Sequence, residues 1–145
     1  CVGEGEEAIS DLVKAIELGS EVTNIKNVWA KKNNQIFRNP IRPLMEDLDK
    51  LPFPDYDLFD ARHISDLGKF ETSRGCPYSC TYCINDHMQH LYGGVGGYHR
   101  EKSVERAVEE IAYFTKKYNF KWNFLIDETF TIKANRVRDF CKLYK

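Results

Sequence analysis

Apolar residues recur at helical spacing from Glu6 to Leu18, where Ile9, Leu12, Val13 and Ile16 fall three or four positions apart and Gly19 stands where helices commonly stop. The pattern predicts a short turn followed by a helix. From Asn27 to Arg38 the rhythm changes. Val28 and Trp29, the polar pair Asn33-Asn34, then Ile36 and Phe37 predict a two-stranded hairpin turning on the asparagines. Between Asn39 and Asp60 the prolines at 40, 43, 52 and 54 remove backbone donors and favour extended or turn conformations, which predicts a linker pinned by Leu51, Phe53, Tyr56, Leu58 and Phe59.

Leu67 to Ser73 reads as a short strand running into a loop bounded by Gly75 and Pro77. From His87 to His99, the glycines at 93, 94, 96 and 97 leave the backbone too free for a stable helix and predict a mobile connection near that loop. Ser103 is placed to cap a helix whose apolar face is Val104, Ala107, Val108, Ile111, Phe114 and Tyr118. Trp122 to Ile126 is a continuous apolar run, as expected of a strand covered on both faces, and Val137, Phe140, Cys141 and Tyr144 place a last helix. Strand, loop, helix, strand, loop, helix from Leu67 onward implies an α/β fold with parallel strands joined by helical crossovers.

Composition narrows the classes. The chain has 145 residues, 42% hydrophobic and 13% aromatic, enough for an ordered core. Lys and Arg total 21 against 22 Asp and Glu, so there is no global field to favour a phosphate backbone or an anionic membrane, and no nucleic-acid partner is expected. No apolar run approaches the roughly 18 residues that span a bilayer, and no signal segment opens the chain, so the expected location is cytoplasmic and no membrane partner is expected. The first residue is Cys1, not Met, and the opening already reads like the middle of a domain, which suggests a fragment.

The strongest chemical signal is Ser73-Arg74-Gly75-Cys76-Pro77-Tyr78-Ser79-Cys80-Thr81-Tyr82-Cys83. Three of the five cysteines fall within eight residues, an arrangement that suits metal ligation better than a disulfide framework. Soft thiolates suit zinc or iron–sulfur clusters, and three ligands on a four-iron cubane leave one iron open to a small molecule. A zinc site completed by His87 or His90 is the alternative the residues leave open, and with it a non-enzymatic metal-binding or electron-transfer module. Cys1 and Cys141 read as buried structural thiols. Arg74 and Arg100 read as solvated or structural. His63, His87, His90 and His99 are ambiguous between surface, hydrogen-bonded and proton-donating roles, and no catalytic residue is assigned.

Cys-x3-Cys-x2-Cys with the aromatic Tyr82 before its last cysteine resembles the cluster loop of the radical S-adenosylmethionine (radical SAM) superfamily. The resemblance implies a [4Fe-4S] cluster on Cys76, Cys80 and Cys83, S-adenosylmethionine chelated at the open iron, and reductive cleavage to a 5′-deoxyadenosyl radical. It implies the start of a partial (β/α)6 barrel, with the cysteines after its first strand. It also implies a small-molecule substrate and an electron donor such as flavodoxin or ferredoxin. Leu125-Ile126-Asp127-Glu128-Thr129-Phe130 is similar to the second-strand segment of the cobalamin-binding branch, where the family contacts the amino group of S-adenosylmethionine. Glu128 and then Asp127 are the candidates, although the glycines of the family segment are missing. The alternative is that these carboxylates simply favour the N-terminus of the next helix.

Cys1-Val2-Gly3-Glu4-Gly5-Glu6 resembles the last turn of that branch's Rossmann-like cobalamin-binding domain, and Leu-Asp-Lys-Leu-Pro-Phe-Pro-Asp at 48–55 resembles its linker. The implied partition is the end of the cobalamin-binding domain over 1–22, a hairpin linker over 23–66 and the start of the radical SAM domain over 67–145. Cobalamin would then be bound mostly by residues outside this chain. Cobalamin-dependent methyl transfer is the leading implied activity. A cobalamin-independent methylthiolating or oxidative enzyme is the alternative.

Overall fold

The computed structural model describes residues 1–60, 66–93 and 97–145. His63 and Gly94 to Gly96 of the glycine-rich stretch therefore lie outside the described residues. The chain forms two compact units, one of Cys1–Leu44 with the segment from His90, the other of Met45–Gln89 with the segment from Gly97 to Lys145.

In the first unit, helix α1 spans Glu6–Glu17, with two acidic residues in its first turn complementing the helix dipole and Gly19 at φ +62° just beyond the C-cap. The helix buries Ala8, which packs with Ile25 and Val28 and is flanked by Leu12 and Ala15. Ile9, Val13 and Ile16 stay 51%, 48% and 63% exposed, so these three do not face this core. The buried line runs Ala8, Leu12, Ala15, one edge of the apolar arc, because small alanines let the helix approach Ile25 and Val28 closely. Strands β1 (Trp29–Lys32) and β2 (Gln35–Arg38) pair antiparallel, and Asn33 and Asn34 sit at φ +50° and +61°. Two consecutive left-handed residues make the tight hairpin turn that the asparagines predict.

Asn27 is the hub of this unit. It is 1% exposed, its amide donates to the Glu4 carbonyl at 2.9 Å, and its side-chain oxygen accepts from Arg42 N at 2.5 Å. Its backbone accepts from Val2 N and donates to Pro40 O, so one residue ties together three passages of chain. Tyr92 also belongs to this unit. Its hydroxyl accepts from Glu4 N at 2.6 Å, and a Cβ on Gly3 would lie 2.1 Å from that oxygen, which explains a glycine there at φ +80°.

In the second unit the proline-rich segment forms two single 3-10 turns, Leu48–Lys50 and Tyr56–Leu58, each opened by an aspartate, Asp47 or Asp55, accepting from the backbone N–H two residues on. Phe53 and Tyr56 do pin the segment by packing against Phe114, tilted and edge-on respectively, while Leu58 and Phe59 are exposed. Strand β3 (Leu67–Phe70) pairs parallel with β6 (Trp122–Leu125), and α3 (Val104–Tyr118) forms the crossover between them. Between them in sequence, β4 (Ser73–Arg74) pairs antiparallel with β5 (Arg100–Glu101), and α4 (Ala134–Leu143) follows β6. Ser103 caps α3 through Arg106 N at 3.1 Å, as expected, and Asn119 closes it in the left-handed conformation. Phe70, Ala107, Ile111, Phe114 and Phe140 form the core.

Three expectations are corrected. A helix, α2 (Ile84–Leu91), occupies the first part of the stretch expected to be too flexible, because its glycines begin only at Gly93 and the residues before it carry no helix breaker. Trp122, Phe124 and Ile126 are 72%, 56% and 51% exposed, so the β6 run is covered on one face only within this chain. Cys1 and Cys141 are exposed, since Cys141 sits on the outer side of α4 and Cys1 lies at the chain end.

Candidate functional site

The three cysteines follow β4, just beyond the C-terminal end of the parallel strand β3, where parallel α/β folds place their chemistry. Gly75 opens the loop at φ +75°, and a Cβ there would approach the Tyr98 carbonyl to 2.4 Å, so only glycine fits. His99 Nδ1 lies 2.7 Å from the Gly75 carbonyl, and its Nε2 lies 3.4 Å from Glu101. Gln89, on the inner side of α2, donates to the carbonyls of Cys76 (2.9 Å) and Tyr78 (3.1 Å), while Cys83 N returns to Cys80 O at 2.9 Å. The loop is irregular, yet its backbone is held at both ends.

All three thiols are free. Cys76 is buried, Cys83 half-buried and Cys80 exposed. Among the described residues no three His, Cys, Asp or Glu side chains are set to grip a single metal ion. Three free thiols on one loop are the soft donor set that zinc or an iron–sulfur cluster takes. Asn85 Nδ2 points at Cys83 Sγ (3.6 Å), and its Oδ1 accepts from Tyr98 Oη (3.0 Å). Thr129 Oγ1 lies 3.4 Å from Cys76 Sγ. Tyr82, by contrast, is 92% exposed, and Tyr78 and Ile84 are exposed as well.

The two carboxylates after β6 differ sharply. Asp127 Oδ1 accepts from Thr72 N (3.0 Å), Thr72 Oγ1 (3.0 Å) and Ser73 Oγ (2.5 Å), and its Oδ2 is buried with no hydrogen-bond partner among the described residues. Glu128 is exposed. Arg136, 8% exposed in the first turn of α4, donates to the carbonyls of Thr72 and Lys102, both at 3.1 Å, and so completes a clamp around Thr72. Thr72, Asn85, Gln89, Thr129 and Arg136 were not singled out from sequence. Only Thr129 lay inside a recognised segment, and a short polar residue carries no periodic signal. Burial raises the pKa of Glu101, but hydrogen bonds from Lys133 and His99 outweigh it and hold the carboxyl below its ordinary value of 4.5.

No family model matches the chain. It is 35% identical over 141 residues to an uncharacterised methyltransferase of Pyrococcus horikoshii, covering 94% of this chain and 29% of that protein. It is 25% identical to the anaerobic magnesium-protoporphyrin IX monomethyl ester cyclase of Rubrivivax gelatinosus, over 97% of this chain and 26% of the cyclase. Among solved structures, the cobalamin-dependent S-adenosylmethionine radical enzyme OxsB superposes with a TM-score of 0.71 at 26% identity, over 99% of this chain and 20% of OxsB. Over nearly its whole length the chain is similar in sequence and fold to part of a cobalamin-dependent radical SAM enzyme. A further neighbour of that kind, the radical SAM methyltransferase TsrM from Kitasatospora setae, solved with tryptophan and an S-adenosylmethionine analogue, has a TM-score of 0.67 at 16% identity and shares the fold over 97% of this chain and 28% of its own. Other structures of OxsB and TsrM hold cobalamin, and one of them a [4Fe-4S] cluster. The chain spans less than a third of the length of the curated relatives it matches. The α/β architecture read from sequence is that of the corresponding part of these enzymes. Among the described residues no helix is long and apolar enough to cross a membrane.

Proposed function

We propose that this chain carries the cluster loop of a radical SAM enzyme, with Cys76, Cys80 and Cys83 as ligands of a [4Fe-4S] cluster. The observation that carries the reading is three free thiols in one loop beyond a parallel strand, in a chain similar along nearly its whole length to cobalamin-dependent radical SAM enzymes. When bound, such a cluster supplies the electron that cleaves S-adenosylmethionine to a 5′-deoxyadenosyl radical. The chain's own residues do the rest here. Gly75 and Gln89 fix the loop backbone, Asp127 and Arg136 fix the end of the strand pair, and Glu128, solvent-facing at the rim, accepts the amino group of S-adenosylmethionine. Tyr82 offers an exposed aromatic face beside the ligand cysteines.

The same reading assigns residues 1–22 to the end of a cobalamin-binding domain, 23–66 to a linker and 67–145 to the start of the radical SAM domain, with cobalamin held mostly by residues outside this chain. Methyl transfer to a small molecule is the activity favoured by the similarity to the Pyrococcus horikoshii methyltransferase, with an external flavodoxin- or ferredoxin-type electron donor in the cytoplasm. Anaerobic reconstitution of the full-length protein with iron and sulfide tests the core of this. About four irons per chain are expected, falling to background in Cys76→Ala, Cys80→Ala and Cys83→Ala but unchanged in Cys1→Ala and Cys141→Ala. Zinc as the bound metal, or a fourth essential cysteine, sinks the reading. Glu128→Ala is expected to weaken S-adenosylmethionine binding without loss of iron.

A further inference from the structure

Two side chains in the second unit place a polar group beside a cysteine sulfur. Asn85 is 8% exposed and lies at the start of α2. Its amide could face either way, but Tyr98 Oη donates to Oδ1 at 3.0 Å, which turns the NH2 group toward Cys83 Sγ at 3.6 Å. The flipped amide would set a carbonyl oxygen against a thiolate. Thr129 Oγ1 sits 3.4 Å from Cys76 Sγ and 2.7 Å from the Glu128 carbonyl. A metal-bound thiolate has no proton to give, so a hydrogen bond to it requires the hydroxyl to rotate about its own C–O bond, exchanging the Glu128 carbonyl for the sulfur as its acceptor. Both contacts suit sulfur, whose large radius lengthens such bonds.

Resting on the cluster reading above, we infer that Asn85 and Thr129 are positioning residues that donate hydrogen bonds to the cluster thiolates of Cys83 and Cys76 and raise the reduction potential of the cluster. The physical reason is charge. One-electron reduction adds negative charge that spreads onto the sulfurs, and a donor fixed on a sulfur stabilises the reduced state more than the oxidised one. The two donors reach the cluster from different elements, α2 and the segment after β6, so their effects are separable. Neither side chain touches substrate, and neither ligates metal.

Redox potentiometry followed by electron paramagnetic resonance, on full-length protein reconstituted anaerobically, reads the effect directly. Asn85→Leu and Thr129→Val keep approximate shape and remove the donor. Each is expected to retain iron and sulfide at wild-type stoichiometry and to shift the potential negative by roughly a tenfold change in the reduction equilibrium, about 59 mV for a one-electron couple. Thr129→Ser, which keeps the hydroxyl, is expected to hold the wild-type potential. If an isosteric variant does not assemble its cluster, the Ala variant at that site, which adds no bulk, is read in the same way. Potentials equal to wild type in donorless variants with full clusters overturn the inference and leave the cluster reading standing. A wild-type protein that takes up no four-iron cluster overturns the reading beneath it.

Discussion

Helices α1 and α3 have the same kind of sequence signal and opposite fates. Both show apolar residues at helical spacing, yet α3 buries Ala107, Ile111 and Phe114 to 2% exposure or less, whereas α1 leaves Ile9, Val13 and Ile16 about half exposed or more and buries Ala8. The difference lies in what faces each helix within the chain. Aromatic side chains surround α3: the rings of Phe53, Tyr56 and Phe70 all pack against Phe114, tilted or edge-on, and the crossover connects two hydrogen-bonded parallel strands. What faces α1 is a small cluster built on Ile25 and Val28, which accommodates its alanine edge only. Periodicity therefore announces that a helix has an apolar side. It does not say which part of that side is buried.

The contrast can be broken by substitution, and the largest effect belongs to α3. Phe114→Ala removes the ring at the centre of the aromatic cluster and is expected to cost about 3–5 kcal/mol in urea unfolding. A loss below about 1 kcal/mol would show that the cluster does not hold the unit together. Close behind is Lys102→Ala, which strands Glu110 of α3, its partner at 2.6 Å with both side chains 8% exposed. Breaking a buried pair of this kind costs on the order of 3–5 kcal/mol. Next comes Ala8→Leu. At 0% exposure Ala8 has no space for three more carbons, and overpacking should cost about 1–3 kcal/mol, whereas Ile16→Gln, one face over, should stay within about 0.5 kcal/mol. An inverted order at these two positions would mean that α1 is seated on its isoleucine stripe.

The smallest expected effect concerns acid. Glu101 lies two residues before the cap of α3, and its carboxyl is held below the ordinary 4.5 by Lys133 and His99 despite burial, which opposes ionisation. Its stabilising contribution is present above the unfolded value and is lost as pH falls through the depressed folded value. Glu101→Gln should flatten the stability profile below about pH 4.5 and leave the neutral region nearly level, as read by thermal melts across pH. An acid limb as steep as wild type would place the sensitivity elsewhere.

Much of the fold was legible because it is written locally. Asn33-Asn34 gave the hairpin turn, Ser103 and Gly19 marked helix ends, and the face of α3 was read residue by residue. The failures share a cause. Helix α2 was hidden by glycines that begin just after it, and the exposure of β6 depends on neighbours that no single segment specifies. The candidate site divides in the same way. Three cysteines at fixed spacing announce themselves, but Gln89 and Asn85 act from the helix that follows the loop, and Thr72 meets Asp127 and Arg136 more than fifty residues away in sequence. Asp127 and Glu128, neighbours in sequence, differ only through Thr72 and Ser73 more than fifty residues earlier.

The pairing of Leu67 with Trp122 also sets a timetable. The β1–β2 hairpin closes over a two-residue turn, an event on the order of microseconds, while β3 finds β6 only after the whole of α3 has been drawn in between them. The chain's two tryptophans fall one on each side of this divide, Trp29 in the hairpin and Trp122 in the parallel strand. Each is thus a native clock for its own part of the chain, and stopped-flow fluorescence of the two single-tryptophan variants should record Trp29 settling first.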